Sequence, residues 1–427
     1  MTQAQSLATL IPVLGSVAFL MLGNGVLGTL VALRLAEAGA GAVLIGLVSA
    51  AYFSGLTLGS LQGFRLIRRV GHIRAFAIFA SVLSAASLGH AVFAGAGAWA
   101  ALRLVEGFCV AGTYMCVESW LNDVADNRSR GRVLSIYMAT LYAAMAAGQQ
   151  LLLLDQPGRL TLFVVIGMLL SVSLVPISLA RATPPTLPDV VSLGLPKLYR
   201  ASPLGVAGTF LSGCLLGAIY GLAPVFAARS GFGTAGTAAF MTAIVLGGMI
   251  LQWPLGRLSD VFDRRTVIIV TAAALAIVSL GTFLAAGGND WILLAFAIVF
   301  GGLAFGIYPL CAAHTNDHVA KADLVAASGG LILVNSVGSI LGPIAASGVM
   351  APTGPGGLFL FTALVALAAA GFGLWRTRVR PHLPSAAQGA FRALPSTTPV
   401  AAPLRQGEAD PAEGMAEEKG AAGAAPS

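Results

Sequence analysis

An arginine and a glutamate three residues apart stand out in this chain. Arg103 and Glu106 interrupt a long apolar run. At i, i+3 on a helix they share a face and can pair. A charge near the centre of a bilayer costs about 2.5–3.5 kcal/mol on insertion scales, so such residues are functional candidates by default. An adjacent Arg holds a carboxylate ionised, and losing that Arg favours protonation. The pair can thus serve as a proton or substrate switch. The plainer alternative is an Arg103 near the outer interface whose head reaches the headgroups.

A second cluster with charge chemistry is Gly256-Arg257-Leu258-Ser259-Asp260-Val261-Phe262-Asp263-Arg264-Arg265. Gly256 permits close helix approach, and Asp260 beside Arg264 and Arg265 can form a charge network that latches one arrangement and breaks in another. The plainer reading is a loop anchored at headgroups. The matching loop in the first half carries Arg68, Arg69 and Gly71 without an acid, so a latch there would draw on Glu118 or Asp123.

Other polar side chains fall inside apolar runs: Asn24, Tyr52, Tyr142, Gln149, Tyr220, Gln252, Tyr308 and Asn335. Each is a substrate-contact candidate or an interhelical packing group, since amides are costly in lipid unless partnered. Gln252 and Asn335 are the preferred contacts. Cys109, Cys116, Cys214 and Cys311 lie in apolar runs with no metal-ligand spacing, so they read as small packing residues and no metal or cofactor is expected. No P-loop pattern is present, so ATP is not the direct energy source. No nucleophile–base pair or metal cluster marks an enzyme.

These residues need elements to hold them. The chain has 427 residues, 57% hydrophobic and only 10% charged. Soluble domains average about 25% charged residues, so the solvent implied is lipid. Twelve spanning segments can be read, near 9–33, 42–64, 74–94, 99–121, 133–154, 160–181, 203–228, 234–256, 267–286, 290–313, 324–347 and 357–376. Alternate loops are basic, among them Arg65 to Arg74, Arg128 to Arg132 and Arg257 to Arg265. The opposite loops hold Arg34, Arg159 and Arg229. The positive-inside rule places the basic loops and both termini in the cytoplasm. The net charge of +7 is then topology rather than a basic surface for nucleic acid. The first apolar run is too long for a signal-peptide core and reads as an uncleaved span.

The chain also repeats. Gly107, Gly112, Tyr114, Asn122, Asp123 and Gly148 recur 194 residues later as Gly301, Gly306, Tyr308, Asn316, Asp317 and Gly342. Two parallel six-helix halves follow, 1–181 and 201–378, joined by a Pro-rich central loop at 182–200. The remainder, 379–427, is rich in Ala, Pro, Gly and Glu and is expected to be disordered.

The 256–265 loop resembles the cytoplasmic Gly-x-Leu-x-Asp-Arg-x-Gly-Arg-Arg motif of the major facilitator superfamily, from which Val261 and Asp263 depart. Arg103-Leu104-Val105-Glu106-Gly107 is similar to the Arg-x-x-Gln-Gly pattern on the fourth helix of that superfamily, linked in some members to proton coupling. The runs 217–224, 252–260 and 117–122 look like the bacterial YcaD-type subgroup. The resemblance spans about 7–376. It implies an all-α integral membrane fold of twelve transmembrane helices, a monomer in the bacterial inner membrane, and a cavity between the halves. It also implies that the eleventh helix packs on the second, so that Gly55, Gly59 and Gly63 and the pair Gly338 and Gly342 would be sliding faces. The function expected is a secondary transporter of a small solute working by alternating access, driven by protons carried on Glu106 with Arg103. Export of amphipathic compounds is the preferred direction, because it suits a mostly apolar cavity. Import of a small polar metabolite, a sugar or an organic acid, suits Arg103, Gln252 and Asn335. A non-transporting sensor or scaffold is the alternative of another class.

Overall fold

The computed structural model describes residues 3–125, 129–155, 160–179, 193–320, 323–379, 388–389 and 391. The first half contains α1 (Gln3–Glu37), α2 (Ala42–Val70), α3 (His72–Val92), α4 (Ala96–Val124) and α5 (Arg130–Gln149). A 3₁₀ turn, Gln150–Leu154, extends α5, and the sixth span is split into α6 (Thr161–Val172) and α7 (Leu174–Ser178). A short α8 (Leu195–Ala201) precedes the second half: α9 (Pro203–Arg229), α10 (Thr234–Val261), α11 (Arg264–Leu284), α12 (Asp290–Asn316), α13 (Leu324–Thr353) and α14 (Gly357–Val379). Twelve spans among the described residues are long and apolar enough to cross a membrane, as the hydropathy reading expects.

Proline chemistry sets two local departures. Pro176 has no N–H to offer Val172, and the sixth span breaks between α6 and α7 at that turn. Pro196 belongs to a helix rather than a plain loop, because proline suits a first turn whose N–H groups are free anyway; α8 is thus a helix inside the expected linker. Residues 180–192, and all of 379–427 except 379, 388–389 and 391, lie outside the described residues, including most of the segment expected to be disordered. Pro343 leaves α13 continuous.

The repeat glycines explain the packing. A methyl group at Gly107 would collide with the Tyr52 carbonyl of α2, and one at its counterpart Gly301 with the Ile244 carbonyl of α10. Close backbone approach seats α4 on α2 and α12 on α10 in the same way. Gly148 and Gly342 likewise bring α5 against Leu22 of α1 and α13 against Cys214 of α9. The expected sliding faces are corrected here. Gly55 and Gly59 abut Leu104 and Phe108 of α4, and Gly338 and Gly342 abut α9, so both sets of small residues fix helices within a half. The contact of α2 with α13 is made elsewhere, where Gly46 meets Pro343 and Ser347.

Candidate functional site

The two halves meet around a central cavity of about 170 Å³. Asn24 of α1, Tyr52 of α2, Arg103 of α4, Tyr142 of α5, Tyr220 of α9 and Asn335 of α13 all line it. Six side chains named from the sequence, on six helices from both halves, therefore converge. The side-chain oxygens of Asn24 and Asn335 are buried and have no protein partner. Tyr142 and Tyr220 each set an edge against Phe305 of α12, at 5.7 and 5.8 Å between ring centroids, which closes an aromatic wall across the halves.

Three expected contacts fall outside this lining. Gln149 donates to the Gly25 carbonyl at 2.6 Å and accepts from Thr29 at 3.0 Å, so its amide ties α5 to α1. Gln252 of α10 is buried and stands outside the lining of the cavity. Tyr308 packs with Leu198, Ala327 and Leu331 in a separate apolar cluster. Thr29, Ser49, Ser336 and Ser339 line the cavity and were not singled out by sequence. Small hydroxyl residues commonly bond to their own helix, as Ser49 does to Ile45, so their type alone carries no signal.

Arg103 and Glu106 pair as their spacing predicts, Nη1 to Oε2 at 2.7 Å. Arg103 is 6% exposed, so it is held in the protein and does not reach for an interface. Its guanidinium lies 4.1 Å above the Tyr52 ring, a cation–π contact. Tyr52 in turn accepts from Asn24 at 3.5 Å. The residue missed by the sequence reading is His90 of α3. Its Nε2 stands 3.0 Å from the other Glu106 oxygen, deep in the first half. A histidine within an otherwise apolar span was the available signal.

At the Arg-rich end the second half carries a charge cluster. Arg264, 1% exposed, bonds Asp317, Ser259 and the Gly389 carbonyl, with Asp260 3.6 Å away. Gly389 donates to Asp317 at 3.1 Å, Phe391 donates its N–H to Asp260 at 2.6 Å, and its ring fills the space beside Gly256. Burial raises the Asp317 carboxyl above its ordinary range, against the pull of Arg264. Asp263, one of the departures from the family motif, caps α11 by accepting from the Arg265 N–H at 3.0 Å. Arg265 also lies 3.7 Å from the Asp263 carboxylate.

The first half answers this cluster with different groups. Gly71 adopts φ +84° between α2 and α3, a conformation that favours glycine. Arg68 stacks over Phe64 at 5.2 Å. Arg69 is exposed in the last turn of α2. Glu118 is fully buried and accepts from Tyr137 at 3.4 Å. Asp123, the repeat partner of Asp317, acts electrostatically on His72 at the start of α3, as Asp317 does on Arg264 at the start of α11.

At the opposite end the halves bond to one another. Arg229 donates to the Ala40 carbonyl at 2.9 Å, Gln150 to Thr242 at 2.6 Å and Thr242 to the Ala146 carbonyl at 3.2 Å.

Comparison with known proteins agrees with this architecture. The family model of the Major Facilitator Superfamily matches residues 13–252 and 206–411. The MFS-type transporter YcaD of Salmonella heidelberg (strain SL476) is 32% identical over 350 residues, which cover 81% of this chain and 90% of the relative. YcaD of Salmonella newport (strain SL254) matches to the same extent. Among solved structures, the nucleoside transporter NupG superposes with a TM-score of 0.69 at 14% identity, covering 88% of this chain and 100% of that one. A D-xylose-proton symporter gives 0.67 at 15% identity, with 87% and 97% covered. At those identities the structures share a fold. Twelve spans in two repeated halves, a cavity between them and the match to the family model along nearly the whole chain lead to one conclusion: this is a multi-pass membrane transporter of the Major Facilitator Superfamily, of the YcaD type.

Proposed function

We propose that this transporter is a proton-coupled carrier that moves a small polar solute across the bacterial inner membrane by alternating access, with both termini in the cytoplasm. The observation that carries this reading is the convergence of Arg103, Asn24 and Asn335 from both halves on one cavity. Unpartnered amide oxygens and a buried guanidinium select a solute that supplies hydrogen bonds; an apolar solute would leave them unmet. The polar importer is therefore favoured over the exporter of amphipathic compounds. Glu106 carries the proton, with Arg103 as its partner. The Arg264, Asp260 and Asp317 cluster acts as a cytoplasmic latch. The carrier works as a monomer with its substrate, protons and the lipid bilayer as partners.

A thermal-shift screen of the purified protein against metabolites and lipophilic drugs, with Arg103→Ala alongside, tests this. A ligand at a hundredfold its dissociation constant adds roughly 2.7 kcal/mol, enough for a melting curve to resolve. Stabilisation of the wild type by polar metabolites, absent in the variant, is the expected result. Stabilisation by lipophilic compounds alone would restore the export reading. No response, or equal response in both proteins, would favour the sensor or scaffold.

A further inference from the structure

Three side chains form one buried chain in the first half. His90 Nε2 meets Glu106 Oε1 at 3.0 Å, and Arg103 Nη1 meets Glu106 Oε2 at 2.7 Å. His90 is 3% exposed and Glu106 0%. Arg103 is the member that lines the cavity. The His90 ring stacks on Phe163 of α6 at 5.6 Å and takes the edge of Trp99 at 4.9 Å, and its Nδ1 has no protein partner. The charged groups that face the pair come from α4, namely Arg103 and Glu106. Tyr52 of α2 beside Arg103 and Cys109 of α4 near Glu106 are the neighbouring titratable groups, and both side-chain types are neutral at pH 7.

Charge balance makes this arrangement directional. Taking Arg103 as positive, Glu106 as ionised and His90 as neutral, the set carries no net charge; the proton of a neutral His90 is then assigned to Nε2, the nitrogen that faces Glu106, and Nδ1 is bare. Net charge within the membrane is costly, so every stable state of the carrier should stay close to neutral there. A solute bearing one negative charge adds −1 to the cavity, and Arg103 is the cation that can meet it. Turning toward the solute takes Arg103 off Oε2 and leaves Glu106 with His90. One proton then restores neutrality. It comes from water in the cavity and lands on the vacated Oε2 or on Nδ1. Because the two groups share a hydrogen bond, the pair holds it rather than either residue. When the solute leaves, Arg103 returns to Oε2 and the proton goes back to water.

We propose that His90 and Glu106 together form the proton site, and that Arg103 ties its occupancy to binding of a solute with a single negative charge, of the monocarboxylate class. This rests on the transporter reading above and narrows its substrate. Solute and proton would move together with no net charge transferred.

The test follows His90 by NMR of ring-labelled histidine, assigned with His90→Gln. Arg103→Gln stands for the withdrawn arginine and needs no solute. Its His90–Glu106 titration should move up by about one unit or more relative to wild type, the usual reach of one lost opposite charge. Arg103→Lys should restore the wild-type curve, and adding Glu106→Gln to Arg103→Gln should abolish the shift. An unchanged curve in Arg103→Gln, or a shift that survives the added Glu106→Gln, overturns the proton site. Should Arg103→Gln fail to fold, the wild type titrated with lactate, pyruvate and benzoate answers instead. An upward shift with any of these, absent with lactamide, is expected; no shift with all three overturns the switch. Because the titration requires no turnover, a flat curve removes this switch and leaves the transporter reading standing, whereas the thermal-shift screen fails independently of it.

Discussion

At the scale of the residue, burial and partnering separate the polar side chains that a sequence cannot rank. Asn335 and Gln149 are both amides inside spans, and both are nearly enclosed, at 4% and 2% exposed. The Asn335 oxygen is unpartnered at the cavity, whereas Gln149 is bonded to Gly25 and Thr29. A hydrogen bond contributes about 0.5–1.5 kcal/mol net. Asn335→Ala should therefore raise KM for the transported solute about fivefold with little change in melting temperature, by the same hydrogen-bond arithmetic. Gln149→Ala should do the reverse, lowering the melting temperature and sparing KM. Uptake kinetics in proteoliposomes beside thermal melts decide the matter; a KM effect of equal size in both variants would remove the distinction. Arg103 and Glu106 were legible as a pair because i, i+3 spacing on a helix leaves them little choice. His90 lies 16 positions before Glu106, and only the packing of α3 on α4 brings the two together.

At the scale of the element, the repeated glycines are the points where helices touch backbone to backbone. Their recurrence was visible in the sequence, and so was the division into two halves. What they touch was not. A small residue advertises a close approach without naming the partner, so Gly55 and Gly59 were open to assignment against α13 when α4 in fact occupies that face. Gly301→Val should push α12 off α10, since the added atoms meet the Ile244 carbonyl, and overpacking of this kind costs about 1–3 kcal/mol. Gly348→Ala, on an exposed face of α13 with open space around it, serves as the control and should melt like wild type. Equal melting temperatures for Gly301→Val and wild type would show that α12 has slack at this crossing.

At the scale of the whole molecule, the halves are bonded to one another at the end opposite the Arg-rich loops, which the proposed alternating-access cycle would have to open. Ser49 of α2 and Gly221 of α9 face each other near that end, where a Cβ on residue 221 would lie 2.7 Å from the Ser49 Cβ. In a background with the four native cysteines replaced, Ser49→Cys with Gly221→Cys should form a disulfide once the two helices part by about 1 Å to the usual Cβ spacing of about 3.5–4.5 Å, and the bond should stop transport until it is reduced. Full transport with the crosslink intact would show that the halves do not separate at this end.

The sequence by itself determined the solvent, the twelve spans, the two-fold repeat and the Arg103–Glu106 pair. Each depends on composition or on spacing within one helix or one repeat, and such local regularities survive without knowledge of the fold. Tertiary structure decided the rest: which six of the candidate polar residues share the cavity, that Gln149, Gln252 and Tyr308 stand outside it, and that His90 completes the buried charge set. It also decided that Gly389 and Phe391, far along a tail with no spanning character, reach Asp317, Asp260 and Gly256. These are contacts between distant segments. The rotation of each helix about its own axis selects them, and in a span apolar on nearly every face the sequence does not mark which side turns inward.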